Sequence, residues 1–290
     1  LDVMMPAMDG YEVLRHLRAN PDTANIPVIF VTARGDQEGE ETGFAAGAVD
    51  YVTKPVKPRV LMARVRTHLA LADQQKAYRQ QVREATGQLE RSYHEAIHML
   101  GAAGHYNDMD TGIHIWRMGA YAGAIARAAL WDVEQSAMLE LAATMHDMGK
   151  IGIPDAILRK PGQLTPDEWD IMKRHAILGR DILSKGSSPM FKMAAQVAMS
   201  HHERWDGNGY PENLAGEAIP ESARIVAIAD VFDALTMARP YKEAWPIERA
   251  MEFVRAAAGS HLDPRLVGLF LGITDEILAI KDRWDSREAA

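Results

Sequence analysis

Between Arg59 and Leu100 the chain holds no proline and a single glycine, Gly87, in a stretch rich in Gln, Glu, Arg and Ala. A run of that length without a breaker reads as one long helix, spanning roughly 60 Å at the usual rise per residue. Leu71, Gln75, Tyr78, Val82, Ala85, Leu89, Ser92, Ala96 and Met99 step alternately by four and three along it, the heptad spacing of a coiled coil. Gln75 and Ser92 place polar residues on the seam, which weakens such a coil but fixes its register. The pattern predicts a signal-transmitting helix that pairs with a second copy, with a monomeric helix lying on the next domain as the alternative. On either side of it, 290 residues leave room for two domains.

Composition narrows the functions those domains can have. At 47% hydrophobic and 25% charged the chain can bury a core. A formal charge of −8 and the lack of a basic recognition helix argue against a DNA-binding output or general attraction to anionic membranes. The absence of cysteine excludes disulfides, thiolate zinc sites and cysteine nucleophiles, so any metal must be held by His, Asp and Glu. No apolar run approaches the length of a spanning helix, and a cytoplasmic location is expected.

Residues 1–66 alternate strand and helix: a helix from about Gly10 to Ala19, an apolar strand Pro27–Thr32, a helix over Gln37–Ala48 and a strand Asp50–Thr53. Such alternation predicts a parallel α/β sheet, whose chemistry gathers at the carboxyl ends of the strands. Asp2, Thr32 and Lys54 each fall at such an end.

The segments Asp2-Val3-Met4-Met5-Pro6 with Asp9-Gly10, Val31-Thr32-Ala33, and Tyr51-Val52-Thr53-Lys54-Pro55 resemble the receiver domain of two-component response regulators. The resemblance implies a flavodoxin-like fold with Asp2 as phosphoacceptor, Thr32 as the hydroxyl that follows the phosphoryl group and Lys54 as its ammonium partner. It implies a sensor histidine kinase acting on the complete receiver. The strand that carries the acidic magnesium pair in that family has no room before Asp2, so residues 1–66 are expected to be a partial receiver lacking its N-terminal half. Poor independent folding and inefficient phosphorylation are expected with it, and efficient phosphorylation of Asp2 in a longer parent protein.

After the connector, residues 67–96, the remainder to about residue 285 carries helix signals and no alternating strand run. Asp132 to Gln135 and Thr165 to Glu168 read as capping boxes. In this all-α frame Asp110 and His114 top an apolar stripe continued by Met118, Tyr121 and Ile125. His175 shares a stripe with Ile171, Leu178 and Ile182. His146-Asp147 lies near a helix end, His201-His202 opens a glycine-punctuated loop, and Asp230 follows the run Ile225–Ala229. One inward histidine alone is most simply a satisfied core residue. Five imidazoles and three carboxylates on apolar surfaces cost several kcal/mol each unless paired or metal-bound. Their number exceeds the needs of one ion, and N and O donors suit Fe, Mn, Co, Ni, Zn or Mg.

His146-Asp147-Met148-Gly149-Lys150-Ile151-Gly152-Ile153-Pro154 and the segment from His201-His202-Glu203 to Gly209-Tyr210-Pro211 resemble the two signature motifs of the HD-GYP family of cyclic di-GMP phosphodiesterases. The resemblance covers nearly all of residues 97–285 and implies an all-α HD-type metal-dependent phosphohydrolase domain. It implies Asp110, His114, His146, Asp147, His175, His201, His202 and Asp230 as metal ligands, with Asp147 bridging two ions. Lys150 would reach the scissile phosphate, and Arg239 and Lys242 would hold the ligand's phosphates. Three-metal members carry Glu where this chain has Asp110, so a two-metal centre is expected, with a weak third site as the alternative and Fe or Mn favoured.

The expected reaction is hydrolysis of cyclic di-GMP by metal-activated water, giving pGpG, GMP or both. Other readings are a non-catalytic sensor or adaptor using the same pocket, and a phosphohydrolase acting on another cyclic dinucleotide. The Gly209-Tyr210-Pro211 loop is a candidate docking surface for signalling proteins.

Overall fold

The computed structural model describes residues 1–33, 37–105, 113–237 and 243–288. The chain divides into two compact units, Leu1–Ser92 and Tyr93–Ala290.

In the first unit, helix α1 (Gly10–Ala19) is capped by Asp9, whose side chain accepts from the Glu12 N–H at 2.7 Å. Strand β1 (Ile29–Thr32), helix α2 (Gln37–Ala45) and strand β2 (Asp50–Thr53) follow. The strands pair in parallel, Ile29 opposite Asp50 through Thr32 opposite Thr53. Asp2 bridges Val31 on the other side of β1, also in parallel. All three segments therefore end at the same edge of the sheet. Val3, Leu14, Val28, Phe30, Ala48 and Tyr51 form the core beneath, with the Phe30 ring 5.0 Å from Tyr11 and 5.4 Å from Tyr51. The expected strand from Pro27 begins two residues later, and the helix predicted to Ala48 stops at Ala45, beyond which Gly47 turns with φ 98°.

Helix α3 (Pro58–His105) is continuous, and the boundary between the units falls within it. Leu71, Tyr78, Val82 and Leu89 of the heptad seam are exposed.

The second unit is helical: α4 (Ile113–Ala128), α5 (Val133–Ala143), a 3-10 turn Met148–Gly152, α6 (Asp155–Leu158), α7 (Pro166–Lys173), α8 (His175–Leu183) and α9 (Pro189–Ser200). A second 3-10 turn, Gly216–Ala218, leads into α10 (Glu221–Thr236), α11 (Ile247–Ala256), α12 (Pro264–Gly272) and α13 (Thr274–Glu288). Helix α10 is its axis, with Ile225, Val226, Ile228, Phe232 and Leu235 buried. Met118, Tyr121 and Ile125 of α4 pack in the same core with residues of α11 to α13. Each fully buried side chain of this size contributes about 1.5–3 kcal/mol. A second cluster joins Ile97, Ala142, Met145, Met148, Leu183 and Ala194.

Asp132 caps α5 by accepting from Gln135 N–H, and the reciprocal capping box forms at Thr165 and Glu168 with Pro166 in the first turn. The stripe expected through Ile171, His175, Leu178 and Ile182 requires correction. Arg174 ends α7 and His175 starts α8, so the periodicity resets there. The buried face of α8 is His175, Ala176, Gly179 and Leu183, whereas Ile182 is exposed.

Candidate metal centre

Three histidines stand at helix ends, where the last backbone carbonyls are open to side-chain donors. His146 follows the end of α5 and its Nδ1 lies 2.9 Å from Ala143 O. His175 opens α8 with Nδ1 2.8 Å from Met172 O, and His201 follows α9 with Nδ1 3.1 and 3.0 Å from Val197 O and Ala198 O. A carbonyl can only accept, so each Nδ1 carries the proton and each ring turns Nε2 the other way.

All three Nε2 atoms meet one carboxylate. His146 Nε2 is 3.2 Å from Asp147 Oδ2, and the Nε2 atoms of His175 and His201 are 3.3 and 3.7 Å from Asp147 Oδ1. His202 joins them: one donor atom from each of Asp147, His175, His201 and His202 lies within 4.8 Å of every other. The Nε2 atoms of His175 and His201 are buried without a hydrogen bond among the described residues. Buried polar atoms in that condition call for a partner, and a set of N and O donors around a carboxylate fits a divalent cation. Lys150 Nζ is 2.8 Å from Asp147 Oδ2.

The electrostatics follow from the packing. Burial would raise the Asp147 carboxyl, but the Lys150 and His146 charges hold it well below the usual carboxylate range. Burial would lower the His146 imidazole, yet Asp147 beside it, aided by Asp230, carries it up to about 9. Burial dominates at His175, bringing it down to about 4, and together with the neighbouring imidazoles it drives His202 well below its ordinary value. Those two rings are held neutral, the form that ligates.

The loop after His202 is built to stay in place. Glu203 is 2% exposed and accepts from the backbone N–H groups of Glu212 at 2.7 Å and Leu214 at 3.0 Å. A Cβ on Gly209 would overlap the Arg204 nitrogen, so only glycine lets the loop fold back there. Tyr210 then stacks on His202, ring centroids 4.7 Å and planes 30° apart. Trp169, Lys173 and Arg174 line a groove with Tyr210 and Pro211.

Of the residues expected from sequence, the structure gathers His146, Asp147, Lys150, His175, His201 and His202. His114, buried on α4, faces Asp233, with Nδ1 3.4 Å from Oδ2. Asp230 is half-buried on α10, close enough for its charge to act on His146. Asp110, Arg239 and Lys242 lie outside the described residues. At the sheet edge of the first unit Lys54 Nζ is 2.6 Å from Asp2 Oδ2, and this contact lowers the Asp2 carboxyl. Thr32 is buried at the end of β1, where its carbonyl accepts from Lys54 N–H at 2.7 Å. Sequence reasoning passed over Arg117, Asp233 and Glu203. The first two stand one turn beyond His114 and Asp230, and that spacing was the available signal.

Residues 69–266 match the HD domain family and residues 1–66 the response regulator receiver domain family. The chain is 42% identical over 278 residues to the cyclic di-GMP phosphodiesterase response regulator RpfG of Xanthomonas campestris, covering 93% of this chain and 74% of that protein. It is 38% identical over 300 residues to a cyclic di-GMP phosphodiesterase of Thermotoga maritima, covering 98% and 80%. A solved structure of a cyclic GMP-AMP-specific phosphodiesterase of Vibrio cholerae shares the fold, with a TM-score of 0.51 at 21% identity over 66% of this chain and 52% of that one. The chain belongs to the HD-domain family, among the members that carry a response regulator receiver domain ahead of the HD domain.

Proposed function

We propose that the chain hydrolyses cyclic di-GMP to pGpG, GMP or both, and that its receiver domain controls the rate. The observation that carries this reading is the approach of three imidazole Nε2 atoms to the Asp147 carboxylate, two at Oδ1 and one at Oδ2. The names of the relatives support cyclic di-GMP as the substrate.

In this reading Asp147 takes the bridging place, and His146, His175, His201, His202, His114, Asp230 and Asp110 complete the ligand set. Divalent cations held there would lower the pKa of a water molecule and neutralise the phosphodiester. The shorter reach of Asp110 favours two ions over three, and we assign Fe or Mn ahead of Ni, Co, Zn or Mg. Lys150, fixed against Asp147, meets a non-bridging phosphate oxygen beside that carboxylate. Arg239 and Lys242 meet the remaining phosphate charge with positive charge that a chain of net charge −8 must supply locally. Tyr210 covers His202 and keeps bulk water from that side of the site.

We assign Asp2 as phosphoacceptor for a sensor histidine kinase, with Thr32 and Lys54 in support, and α3 as the dimer-forming helix. The domain limits in this reading are 1–66, 67–96 and 97–285, and the Gly209-Tyr210-Pro211 loop doubles as a docking surface for signalling proteins. The test is chromatography of the products after the protein, loaded anaerobically with Fe(II) or Mn(II), is incubated with cyclic di-GMP, with Asp147→Ala as control. Linear pGpG or GMP from the parent protein alone is expected. Intact substrate at full metal occupancy would overturn the reading in favour of a sensor, or of another cyclic dinucleotide offered in competition.

A further inference from the structure

Arg117 is a guanidinium in the core of the second unit, 2% exposed. Its Nε donates to Asp233 Oδ1 at 2.6 Å, its Nη2 to Asp233 Oδ2 at 3.2 Å and its Nη1 to Asp285 Oδ1 at 2.6 Å. Lys281, one turn before Asp285 on α13, donates to that carboxylate's other oxygen at 2.5 Å. Asp233 is 1% exposed, and its Oδ2 also faces His114 Nδ1 at 3.4 Å. A buried ion pair of this kind is often no more stable than apolar residues of equal volume, so its presence asks for a use besides stability.

The direction of the contacts supplies one. At 3.4 Å the contact is longer than a good hydrogen bond, but a carboxylate can only accept, so Asp233 favours the tautomer of His114 with its proton on Nδ1 and the lone pair on Nε2. Both oxygens of Asp233 already accept from Arg117, so Asp233 is poorly placed to bind a cation itself, and Asp230 one turn earlier keeps that part. A carboxylate that orients a ligating imidazole through its second nitrogen raises the metal affinity of the ring.

We propose that Asp233 is a positioning residue for His114, held in its plane by the bidentate Arg117, which α13 anchors in turn through Asp285. This rests on the reading of His114 as a metal ligand. The metal site would then be set in part by the last helix of the chain, which lies beyond the segment matched to the HD domain family.

A double-mutant cycle on Mn(II) binding by the full chain tests it, with free Mn(II) read by electron paramagnetic resonance. Asp233→Asn keeps the shape but leaves one acceptor oxygen, instead of two, for the N–H groups that Arg117 and His114 direct at it. It is expected to weaken Mn(II) binding about 10- to 100-fold. His114→Ala is expected to weaken it at least as much, and the double variant no further than His114→Ala alone. Wild-type affinity in Asp233→Asn while His114→Ala is impaired overturns the proposal and leaves the ligand reading standing, as do losses that add in the double variant. Wild-type affinity in His114→Ala overturns the ligand reading itself. Should Asp233→Asn fail to fold by circular dichroism, Arg117→Lys is read in its place, since lysine keeps the charge but not the fork. An intermediate loss that vanishes in the His114→Ala background supports the proposal, and wild-type affinity overturns it.

Discussion

The Cα of Gly149 lies so close to the first residue of α8 that a methyl group on it would occupy the place of the His175 carbonyl oxygen. The Asp147–Gly149 turn and the start of α8 are thus in backbone contact, and this contact sets the distance from Asp147 to the His175 ring. Gly149→Ala must push them apart. Overpacking of this kind costs about 1–3 kcal/mol. A lowered midpoint of thermal unfolding together with weaker Mn(II) binding is expected, and unchanged values of both would refute the argument.

Glu203 holds the loop through two backbone N–H groups, and Glu203→Ala would strand both. Glu212 is exposed and Leu214 half-buried, so water replaces part of the lost acceptor and the expected cost is about 1 kcal/mol per donor. Glu203→Gln keeps an acceptor and should cost less. Amide hydrogen exchange at Glu212 and Leu214 reports the difference directly: faster in the alanine variant, intermediate in the glutamine variant.

Lys150 is the cation fixed beside Asp147. On the proposed reading its replacement by Met removes a charge that would face the developing negative charge on phosphate, an effect of roughly 10²–10³ in kcat where such donors have been removed. The variant is expected to keep its metal content by elemental analysis while losing turnover. A loss of metal in the same proportion as activity would instead assign Lys150 to holding the site together.

The Asp50 carboxyl in the first unit should titrate below the usual carboxylate range. Burial would raise it, but Arg64, with Nη1 2.7 Å from both oxygens, and His68 at 3.2 Å outweigh that. A depressed folded-state value means that the contact stabilises fully above the unfolded carboxyl value of about 3.9 and is lost as pH falls through the lower, folded one. Carbon-detected NMR of the side chain should show the midpoint rising in Arg64→Ala.

The elements that could be read in advance were those with a local cause. The breaker-free run became α3, the Thr165–Glu168 box capped α7, and the strands of the first unit appeared where β-branched residues cluster. The end of α7 at Arg174 left no such mark, because no glycine or proline stands there and the chain bends to set His175 against the turn at Gly149. In the site, the resemblance of two segments to signature motifs implied His146, Asp147, His201 and His202 together. The part of Asp233 was hidden because Arg117, which donates to it, is 116 positions away, and Asp285, which accepts from the same guanidinium, is 168 from that arginine, so only the folded chain puts a guanidinium on the aspartate.

The carbonyls that orient His146, His175 and His201 belong to the main chain, so no single codon change in Ala143, Met172, Val197 or Ala198 deletes them. In the ligand set proposed above, His114 faces a side chain, Asp233, and one nucleotide substitution can take that carboxylate away. On that reading, inherited damage to the site should arrive unevenly: His146, His175 and His201 keep their aim through drift in the surrounding sequence, while His114 depends on the integrity of a distant aspartate.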